Sequence, residues 1–258
     1  MDSPIPYFGG KSRLAQTIIN RIPVHKTYAE VFGCAAWILF RKPLSSLETL
    51  NDLDRHLINF YLVTKYHAEA LADELATLQP GREIFLQLRA ELDRPLMTDI
   101  QRAAAYYYVQ RHGFSARPRQ PSFCTRPHRP VQCRAAVFRR VLPLVAERLR
   151  GVLLENLTWE KFIALYDSPR TFFFIDPPYM GHTEYRHNFK ADDFDRLAAA
   201  LRGLSGRFLL THTDQPEIRA LFNGRKFKIE TVALDYSASI RAKGDKSRQG
   251  HEVLITNY

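Results

Sequence analysis

The sequence predicts an α/β fold in which a parallel sheet is interrupted by a mainly helical, basic insertion. Toward the end of the chain, short apolar runs alternate with helical patterns, an order that is typical of parallel sheets. One of these runs, TFFFI at 171–175, is unbroken and aromatic or β-branched, which is the pattern of a strand buried on both faces. A block of helical patterns between about residue 55 and about residue 150 breaks the alternation.

The individual elements follow from spacing and from the residues that end each run. A first helix is predicted at 12–22, where leucine and isoleucine recur at helical spacing before Pro23. Two strands follow, at 28–32 (YAEVF) and 47–51 (LETLN). After the helical block, strands are predicted at 151–155, 171–175, 207–211, 227–234 and 252–256, and helices at 192–203 and 215–223.

We interpret the helical block as an insertion between the two halves of one fold. The halves are residues 1–55 and 151–258, and the insertion is 56–150. Within it, four prolines between residues 118 and 130 predict a loop, because proline has no N–H to donate in a helix or strand. Helical patterning resumes at about residue 133.

The charge of the chain is concentrated in this insertion. The chain has 258 residues, is 45% hydrophobic and carries a formal net charge of +10. Residues 111–150 contain ten arginines, no lysine and one acid, Glu147. This is typical of a site for a polyanion, and a surface that is basic for solubility is the alternative. Arginine favours two-point contacts with phosphates or guanine edges.

Several classes of protein are disfavoured. No apolar run approaches the length of a membrane span, and the first residues lack the pattern of a signal peptide. Three cysteines are too few for a disulfide framework, which favours a reducing cytoplasm. Cys124, His128 and Cys133, with His112 as a distant fourth ligand, match zinc spacing poorly, so no metal is expected. GGKS at 9–12 lacks the earlier glycine and the preceding strand of a phosphate loop.

A strand followed by a glycine turn predicts a nucleoside-binding pocket. The sequence EVFGCAA at 30–36 places a tight turn and a helix start at a strand end, where a ligand can approach the backbone. Asp52 ends the next strand 19 residues after Gly33, and an acid at this distance is the usual acceptor for ribose hydroxyls. The alternative is that Asp52 caps the following helix, which Asp54 could do equally well.

The residues that follow the 171–175 strand suit the activation of an amino group on a planar ring. Pro177 and Pro178 end the strand and leave Asp176 at its carboxyl end, where ligands bind in open α/β sheets. An exocyclic amino nitrogen is a poor nucleophile because its lone pair is delocalised into the ring. The carboxylate of Asp176 and the rigid Pro177 carbonyl can both accept from it, and Tyr179 can stack on the ring.

Four motifs together resemble the Dam-type DNA adenine-N6 methyltransferases of the α group, including their phage and prophage members. They occur in the family's order over most of the chain: FGGK at 8–11, EVFG at 30–33, NDLD at 51–54 and DPPY at 176–179. The resemblance implies S-adenosylmethionine as methyl donor and a Rossmann-like class I methyltransferase sheet. It also implies that residues 56–150 form the target-recognition insertion of a catalytic domain made of 1–55 and 151–258.

The resemblance also implies roles for individual residues. The catalytic residues would be Asp176, Pro177, Pro178 and Tyr179. The cofactor-binding residues would be Tyr7, Lys11, Glu30, Phe32, Gly33, Ala35, Asp52 and Asp176. LTHTD at 210–214 resembles a later strand end that lines the base pocket. Cys34 and Ala36 stand where many members have glycine.

The implied substrate is double-stranded DNA, whose target adenine must be flipped out of the helix. Contacts to DNA are expected at Arg111, Phe114, Arg117, Arg119 and Arg126, with a core position as the alternative for Phe114. RAKGDKSR at 241–248 is expected in a loop near the DNA backbone or in a plain exposed hairpin. Since one base per visit requires only a monomer, a monomeric bacterial or phage-encoded enzyme of the cytoplasm is expected.

Two other hypotheses stay open at the level of the sequence. One is methylation of a different planar amino group: cytosine N4, an RNA base or a glutamine side chain. The other is a DNA-binding protein with a degenerate methyltransferase fold. The sequence is compatible both with a restriction–modification role and with a regulatory role.

Overall fold

A seven-stranded sheet organises the part of the chain that the computed structural model describes, residues 1–94, 96–119, 121–124, 135–235 and 249–258. Its strands are β1 Thr27–Glu30, β2 Leu47–Asn51, β3 Val152–Glu155, β4 Thr171–Ile175, β5 Arg207–Thr213, β6 Lys228–Asp235 and β7 Gln249–Thr256. They lie in the order β3-β2-β1-β4-β5-β7-β6. The predicted α/β fold class is confirmed.

Strand β7 departs from the parallel sheet that the sequence predicts. β1 pairs in parallel with β2 and β4, β2 with β3, and β4 with β5, but β7 is antiparallel to both β5 and β6. A β7 strand parallel to β6 would begin about 26 Å from the end of β6, so a crossing along that eight-residue strand would be needed, at about 3.3 Å per residue. The antiparallel arrangement removes that crossing. It also places the first residues of β7 at the edge where the parallel strands end.

Helices cover both faces of the sheet. Before β4 the chain forms α1 Ala15–Ile19, α2 Trp37–Arg41, α3 Arg55–Tyr66, α4 Ala68–Thr77, α5 Arg82–Glu91, α6 Asp99–His112, α7 Ala135–Leu149 and α8 Trp159–Tyr166. After β4 come α9 Ala191–Arg202 and α10 Pro216–Leu221, and a short 3-10 helix, Phe114–Ala116, follows α6. Among the described residues, no helix combines the length and apolarity needed to cross a membrane.

The predicted burial of β4 on both faces is confirmed. All five of its residues are buried. Phe172 and Phe174 belong to one hydrophobic cluster with helices α1 to α7, whereas Phe173 and Ile175 belong to a second cluster with α8, α9 and α10. Successive strand residues point to opposite faces, so each face of β4 lies in its own core. Full burial of each such side chain contributes about 2 kcal/mol.

Helix α8 forms where no helix is predicted, between β3 and β4. Thr158 caps it, because its side-chain oxygen accepts from the Lys161 backbone N–H at 3.5 Å. Trp159, Phe162 and Ile163 are buried at helical spacing in the second cluster. The N-cap threonine and the stripe of apolar residues at helical spacing are the sequence signals from which this helix could have been predicted. Near the N-terminus, the helix predicted at 12–22 is shorter in the structure, where α1 covers Ala15–Ile19.

Helices α3 to α7, which cover the predicted insertion, share a hydrophobic core with the sheet. α3 and α4 both pack against α6 and α7. Buried residues of these helices, including Leu71 and Phe138, join Tyr28 of β1 in one continuous cluster. The division of the chain into a catalytic domain (1–55 and 151–258) and an insertion (56–150) stays a prediction.

Candidate active site

The carboxyl ends of four parallel strands bring the predicted motifs together at one edge of the sheet. β1 ends at Glu30, β2 at Asn51, β4 one residue before Asp176 and β5 at Thr213. The N-terminal loop reaches the same edge, because the Lys11 ammonium contacts Asp176. Ligands bind at this edge in open α/β sheets, so four distant motifs become one candidate site.

Asp176 is held by two side chains and retains room for a third partner. Lys11 Nζ lies 2.7 Å from its Oδ1 and 2.8 Å from its Oδ2. Thr211 Oγ1 donates to Oδ1 at 2.8 Å, and the Asp176 side chain is 11% exposed. Each carboxylate oxygen accepts about two hydrogen bonds, so Oδ1 is filled and Oδ2 retains one acceptor position. An N–H donor such as an amino group is the kind of partner that this position accepts.

Lys11 is a buried ammonium that depends on Asp176. It is 6% exposed, and its Nζ also donates to the Gly9 carbonyl at 3.0 Å. Burial by itself lowers the pKa of Lys11, but Asp176, Glu252 and Tyr185 together outweigh burial and raise that pKa above its usual value, with Asp176 contributing most of the three. Lys11 is therefore charged at neutral pH and fixes the direction of the Asp176 carboxylate.

The Tyr179 ring is enclosed by residues from β5, β7 and the N-terminal loop. Its hydroxyl donates to Glu252 Oε2 at 3.1 Å, and both side chains are buried. The His212 ring centroid lies 4.5 Å from that of Tyr179, and Lys11 Nζ lies 4.7 Å from the Tyr179 centroid. Only 9% of Tyr179 is exposed, and its stacking on a base stays a prediction. Sequence reasoning missed Glu252, whose signal is an acid immediately before the apolar run of β7.

His212, from the LTHTD segment, fixes the backbone that follows DPPY. Its Nε2 accepts from the Met180 N–H at 3.0 Å, while its Nδ1 lies 2.9 Å from the Thr213 carbonyl oxygen. A carbonyl oxygen only accepts, so Nδ1 carries the proton and the ring is neutral. Burial lowers the pKa of His212 to about 4, which is consistent with this neutral form.

A cavity of about 250 Å³ adjoins the DPPY loop and the β1 and β2 strand ends. Three of the residues predicted to bind cofactor, Tyr7, Phe32 and Asp52, line it, and so does Pro178. Within the described residues the Pro177 carbonyl takes part in no hydrogen bond, although Pro177 is buried and is not among the residues that line this cavity. Wall residues that sequence reasoning missed include Asn51, Leu53, Leu157, Thr158, Trp159, Tyr185, Asn188 and Phe189.

Asp52 faces this cavity as a half-buried carboxylate with spare acceptor capacity. Its Oδ2 accepts from the Cys34 N–H at 3.0 Å, and its Oδ1 accepts from the Asp54 N–H at 2.8 Å. Each oxygen keeps one further acceptor position, which suits the two hydroxyls of a ribose. Burial raises the pKa of Asp52 to about 6. Asp54 is the residue that caps α3, through its bond from the His56 N–H, so the alternative capping role for Asp52 is wrong.

The remaining predicted cofactor residues lie behind the cavity wall. Gly33 donates to the Asn51 carbonyl at 2.7 Å, and a Cβ at Gly33 would lie 3.1 Å from that oxygen, so the turn leaves little room for a side chain. Glu30 accepts from the Tyr28 hydroxyl and from the Leu39 N–H, and burial raises its pKa to about 8. It therefore connects β1 to α2. Ala35 is buried, at 1% exposure.

The two residues that replace glycine in this turn adopt left-handed backbone conformations. Cys34 has φ of 43° and Ala36 has φ of 50°. The Cys34 side chain lines the cavity, whereas Ala36 is buried in the core. A side chain in the left-handed region costs about 1–2 kcal/mol, so the turn is strained.

Replacing Cys34 with glycine should relieve this strain. We expect Cys34→Gly to raise the free energy of unfolding by up to about 1 kcal/mol, measured by urea denaturation. Ala35→Gly is the matched control, because Ala35 is not among the residues with positive φ. It should lower the free energy of unfolding by about 1 kcal/mol. Destabilisation by Cys34→Gly equal to that of the control would contradict the assignment of strain.

The chemistry of the cavity fits the S-adenosylmethionine that the resemblance implies. Asp52 offers two oriented acceptors for a ribose, and the tight turn at Gly33 lets a ligand approach the backbone. Trp159, Phe32 and Phe189 supply aromatic surface for a purine; the Phe32 and Phe189 rings meet edge to face at 5.4 Å. These walls derive from β1, β2, α8 and the segment after DPPY.

Four of the five predicted DNA contacts lie in the described residues and are exposed. Arg111, Arg117 and Arg119 are exposed, with no carboxylate of the described chain within ion-pair distance. Phe114 is 50% exposed, so a core position for it is wrong. The segment also touches the catalytic edge, because Phe8 N–H donates to the Ala116 carbonyl at 3.1 Å.

Several predictions fall outside the described residues. They concern Arg126, the segment 241–248, and His128 and Cys133 of the zinc alternative. Across the ranges that the structure does cover, no group of three or more His, Cys, Asp or Glu side chains could hold a metal ion. The roles of the exposed arginines and of Phe114 in DNA binding stay predictions.

Comparison with known proteins identifies the family of the chain. Residues 7–237, most of the chain, match the family model described as "D12 class N6 adenine-specific DNA methyltransferase". A protein of Escherichia phage P1 named "DNA N-6-adenine-methyltransferase" is 26% identical over 266 aligned positions, which cover 95% of this chain and 34% of that protein. This chain thus spans about a third of the length of that relative. The chain belongs to the D12 class N6 adenine-specific DNA methyltransferase family.

Proposed function

We propose that this chain transfers a methyl group from S-adenosylmethionine to the N6 amino group of a flipped adenine in duplex DNA. The observation that carries the proposal is the open acceptor position on Asp176 Oδ2, in a DPPY loop whose Pro178 lines a nucleoside-type cavity. Family membership supports the same reaction. We include in the proposal that the enzyme is a monomer and that it acts in the cytoplasm.

The amino group would be bound by two acceptors from adjacent residues. Asp176 Oδ2 accepts one N–H and the Pro177 carbonyl accepts the other. Both acceptors draw electron density toward N6, which favours a tetrahedral nitrogen whose lone pair can attack. Lys11 and Thr211 hold the Asp176 carboxylate in place during this step.

S-adenosylmethionine, when bound, supplies an electrophilic methyl group on a sulfonium centre. As the N6 lone pair forms the new bond to that carbon, the methyl–sulfur bond would break and its electron pair would stay on sulfur, so that the donor leaves as the neutral thioether S-adenosylhomocysteine. No covalent intermediate with the protein is required. The nitrogen then releases one proton, for which Asp176 Oδ2 is already a hydrogen-bond acceptor. Asp52 and the aromatic walls bind and orient the donor, and the buried setting of the site excludes water.

The proposed function is tested by digesting treated nucleic acid to nucleosides and measuring methylated products by mass. N6-methyladenine in DNA, formed only with added S-adenosylmethionine, is the expected product. N4-methylcytosine, a methylated RNA base or methylglutamine in a protein substrate would identify another amino acceptor. If no product forms, calorimetry with S-adenosylmethionine decides: absence of binding favours a degenerate DNA-binding protein and overturns the proposal.

Cofactor binding should depend on pH through Asp52. Ribose hydroxyls donate to the ionised carboxylate, and the pKa of Asp52 is raised to about 6 by burial. Affinity should therefore be highest above pH 6 and fall by up to about tenfold per pH unit below it. Calorimetric titration between pH 5 and pH 8 measures this dependence.

The control variants separate Asp52 from other groups of the cavity. Asp52→Asn should bind the cofactor more weakly and lose the pH dependence. Because histidines also change charge in this range, the titration is repeated in His187→Gln, which removes the histidine that lines the cavity. A pH dependence that survives Asp52→Asn but disappears in His187→Gln would show that Asp52 is not the titrating group.

A further inference from the structure

Glu252 is a buried carboxylate that the reaction described above does not use. It is 5% exposed, and burial raises its pKa above the ordinary value, with Lys11 opposing and Asp176 reinforcing that shift. Within the described residues its side chain has one hydrogen-bond partner, the Tyr179 hydroxyl. Burying a carboxylate with so few donors is costly, so a structural role alone does not account for its presence.

The antiparallel direction of β7 is what brings Glu252 to the active site. Glu252 pairs with Thr213 across the β5–β7 ladder, and Val253 pairs with His212. A residue near the start of β7 therefore lies beside the carboxyl end of β5. The hydroxyl end of Tyr179 meets Glu252 there, while the ring meets His212.

We infer that Glu252 is a positioning residue that holds the Tyr179 ring of the DPPY loop in one orientation through its hydroxyl. This inference rests on the proposed function, because the ring matters only where a base is to be placed against Asp176. A tyrosine hydroxyl bound to a fixed carboxylate prevents the ring from turning about its side-chain bonds. His212 fixes the following backbone through the Met180 N–H, so the ring is held at both ends.

The hydrogen bond between Glu252 and Tyr179 should affect kcat more than the KM for DNA. The hydrogen bond to Glu252, and the order that it imposes on the ring, should favour the reacting geometry more than the initial binding of DNA. Loss of Glu252 should therefore lower kcat while the KM for DNA changes little. Glu252 and the Tyr179 hydroxyl act through one bond, so their effects should not add.

The test is a double-mutant cycle on adenine methylation with Glu252→Ala and Tyr179→Phe. Each single variant should lower kcat about 10- to 30-fold. The double variant should lie within about threefold of the single variants, since both changes break the same contact. Glu252→Gln keeps an oxygen that can accept from the hydroxyl, and it should recover activity to within about threefold of the wild type.

Glu48→Gln is the matched control for removing a buried carboxylate. Glu48 is 4% exposed on β2 and pairs with Lys42 and Arg148. It should lower the thermal midpoint but leave kcat per folded molecule unchanged. Additive losses in the cycle, or a Glu252→Ala variant with wild-type kcat, would overturn the inference while leaving the proposed function in place. A wild-type protein that forms no N6-methyladenine would instead defeat the proposed function itself.

Discussion

Replacing Asp176 with alanine should abolish methyl transfer, with kcat at least about 1,000-fold lower than that of the wild type. The variant loses the carboxylate oxygen that accepts from N6 and leaves the Pro177 carbonyl as the single acceptor. The measurement is single-turnover methylation of duplex DNA followed by nucleoside mass analysis. Full activity in this variant would remove the mechanism.

The alanine variant carries a second effect, which the sequence does not predict. The expectation from sequence is an inactive protein with an intact fold. In the structure, however, Asp176 is the ion-pair partner of Lys11, whose side chain is 6% exposed. Removing one partner of a buried pair costs about 3–5 kcal/mol. Asp176→Ala should therefore also be less stable than the wild type.

Asp176→Asn separates chemistry from stability. Its remaining carbonyl oxygen can still accept from Thr211 and Lys11, so more of the fold's stability is kept, but the negative charge is lost. We expect Asp176→Asn to stay folded by circular dichroism and to bind S-adenosylmethionine, with methylation reduced as strongly as in the alanine variant. Asp167→Asn is the control, because Asp167 accepts from the Ser205 and Gly206 N–H groups in a loop and should not affect kcat.

The sequence predicts those parts of the site that depend on local order. The apolar run of β4 followed by two prolines fixes where Asp176 lies, and the strand end at Asn51 fixes Asp52. Both features are read from a few consecutive residues. The helix cap and apolar stripe of α8 are equally local, so that helix, with Trp159 of the cavity wall, is predictable from signals present in the chain.

Other parts depend on strand order and direction, which local patterns do not encode. Tyr179 and Glu252 are 73 residues apart in sequence and meet only because β7 enters the sheet antiparallel beside β5. An apolar run is equally compatible with either direction. Tertiary packing likewise determines which arginines form ion pairs with acidic side chains, and therefore how many arginines are left to contact DNA.

Replacing Arg111, Arg117 and Arg119 together with glutamine should weaken binding to duplex DNA about 100-fold at physiological salt. Each arginine that neutralises a phosphate contributes about 0.9 to the slope of log affinity against log salt, so the slope should fall by about 3. These three side chains are exposed and form no ion pair within the described residues, so their charge is available to DNA. Fluorescence anisotropy over a range of salt concentrations measures both quantities.

A second triple variant controls for net charge alone. Arg102, Arg139 and Arg150 pair with Asp99, Asp73 and Glu147, respectively. Replacing them with glutamine lowers the formal charge of +10 by the same three units. It should change the salt slope by less than one, because these arginines are already compensated by nearby acids. Equal slopes in the two triple variants would mean that overall charge attracts DNA. An unchanged salt slope in the first variant would exclude the segment 111–119 as a DNA contact. A salt slope that falls in the first variant but not in the control variant would assign the contact to Arg111, Arg117 and Arg119.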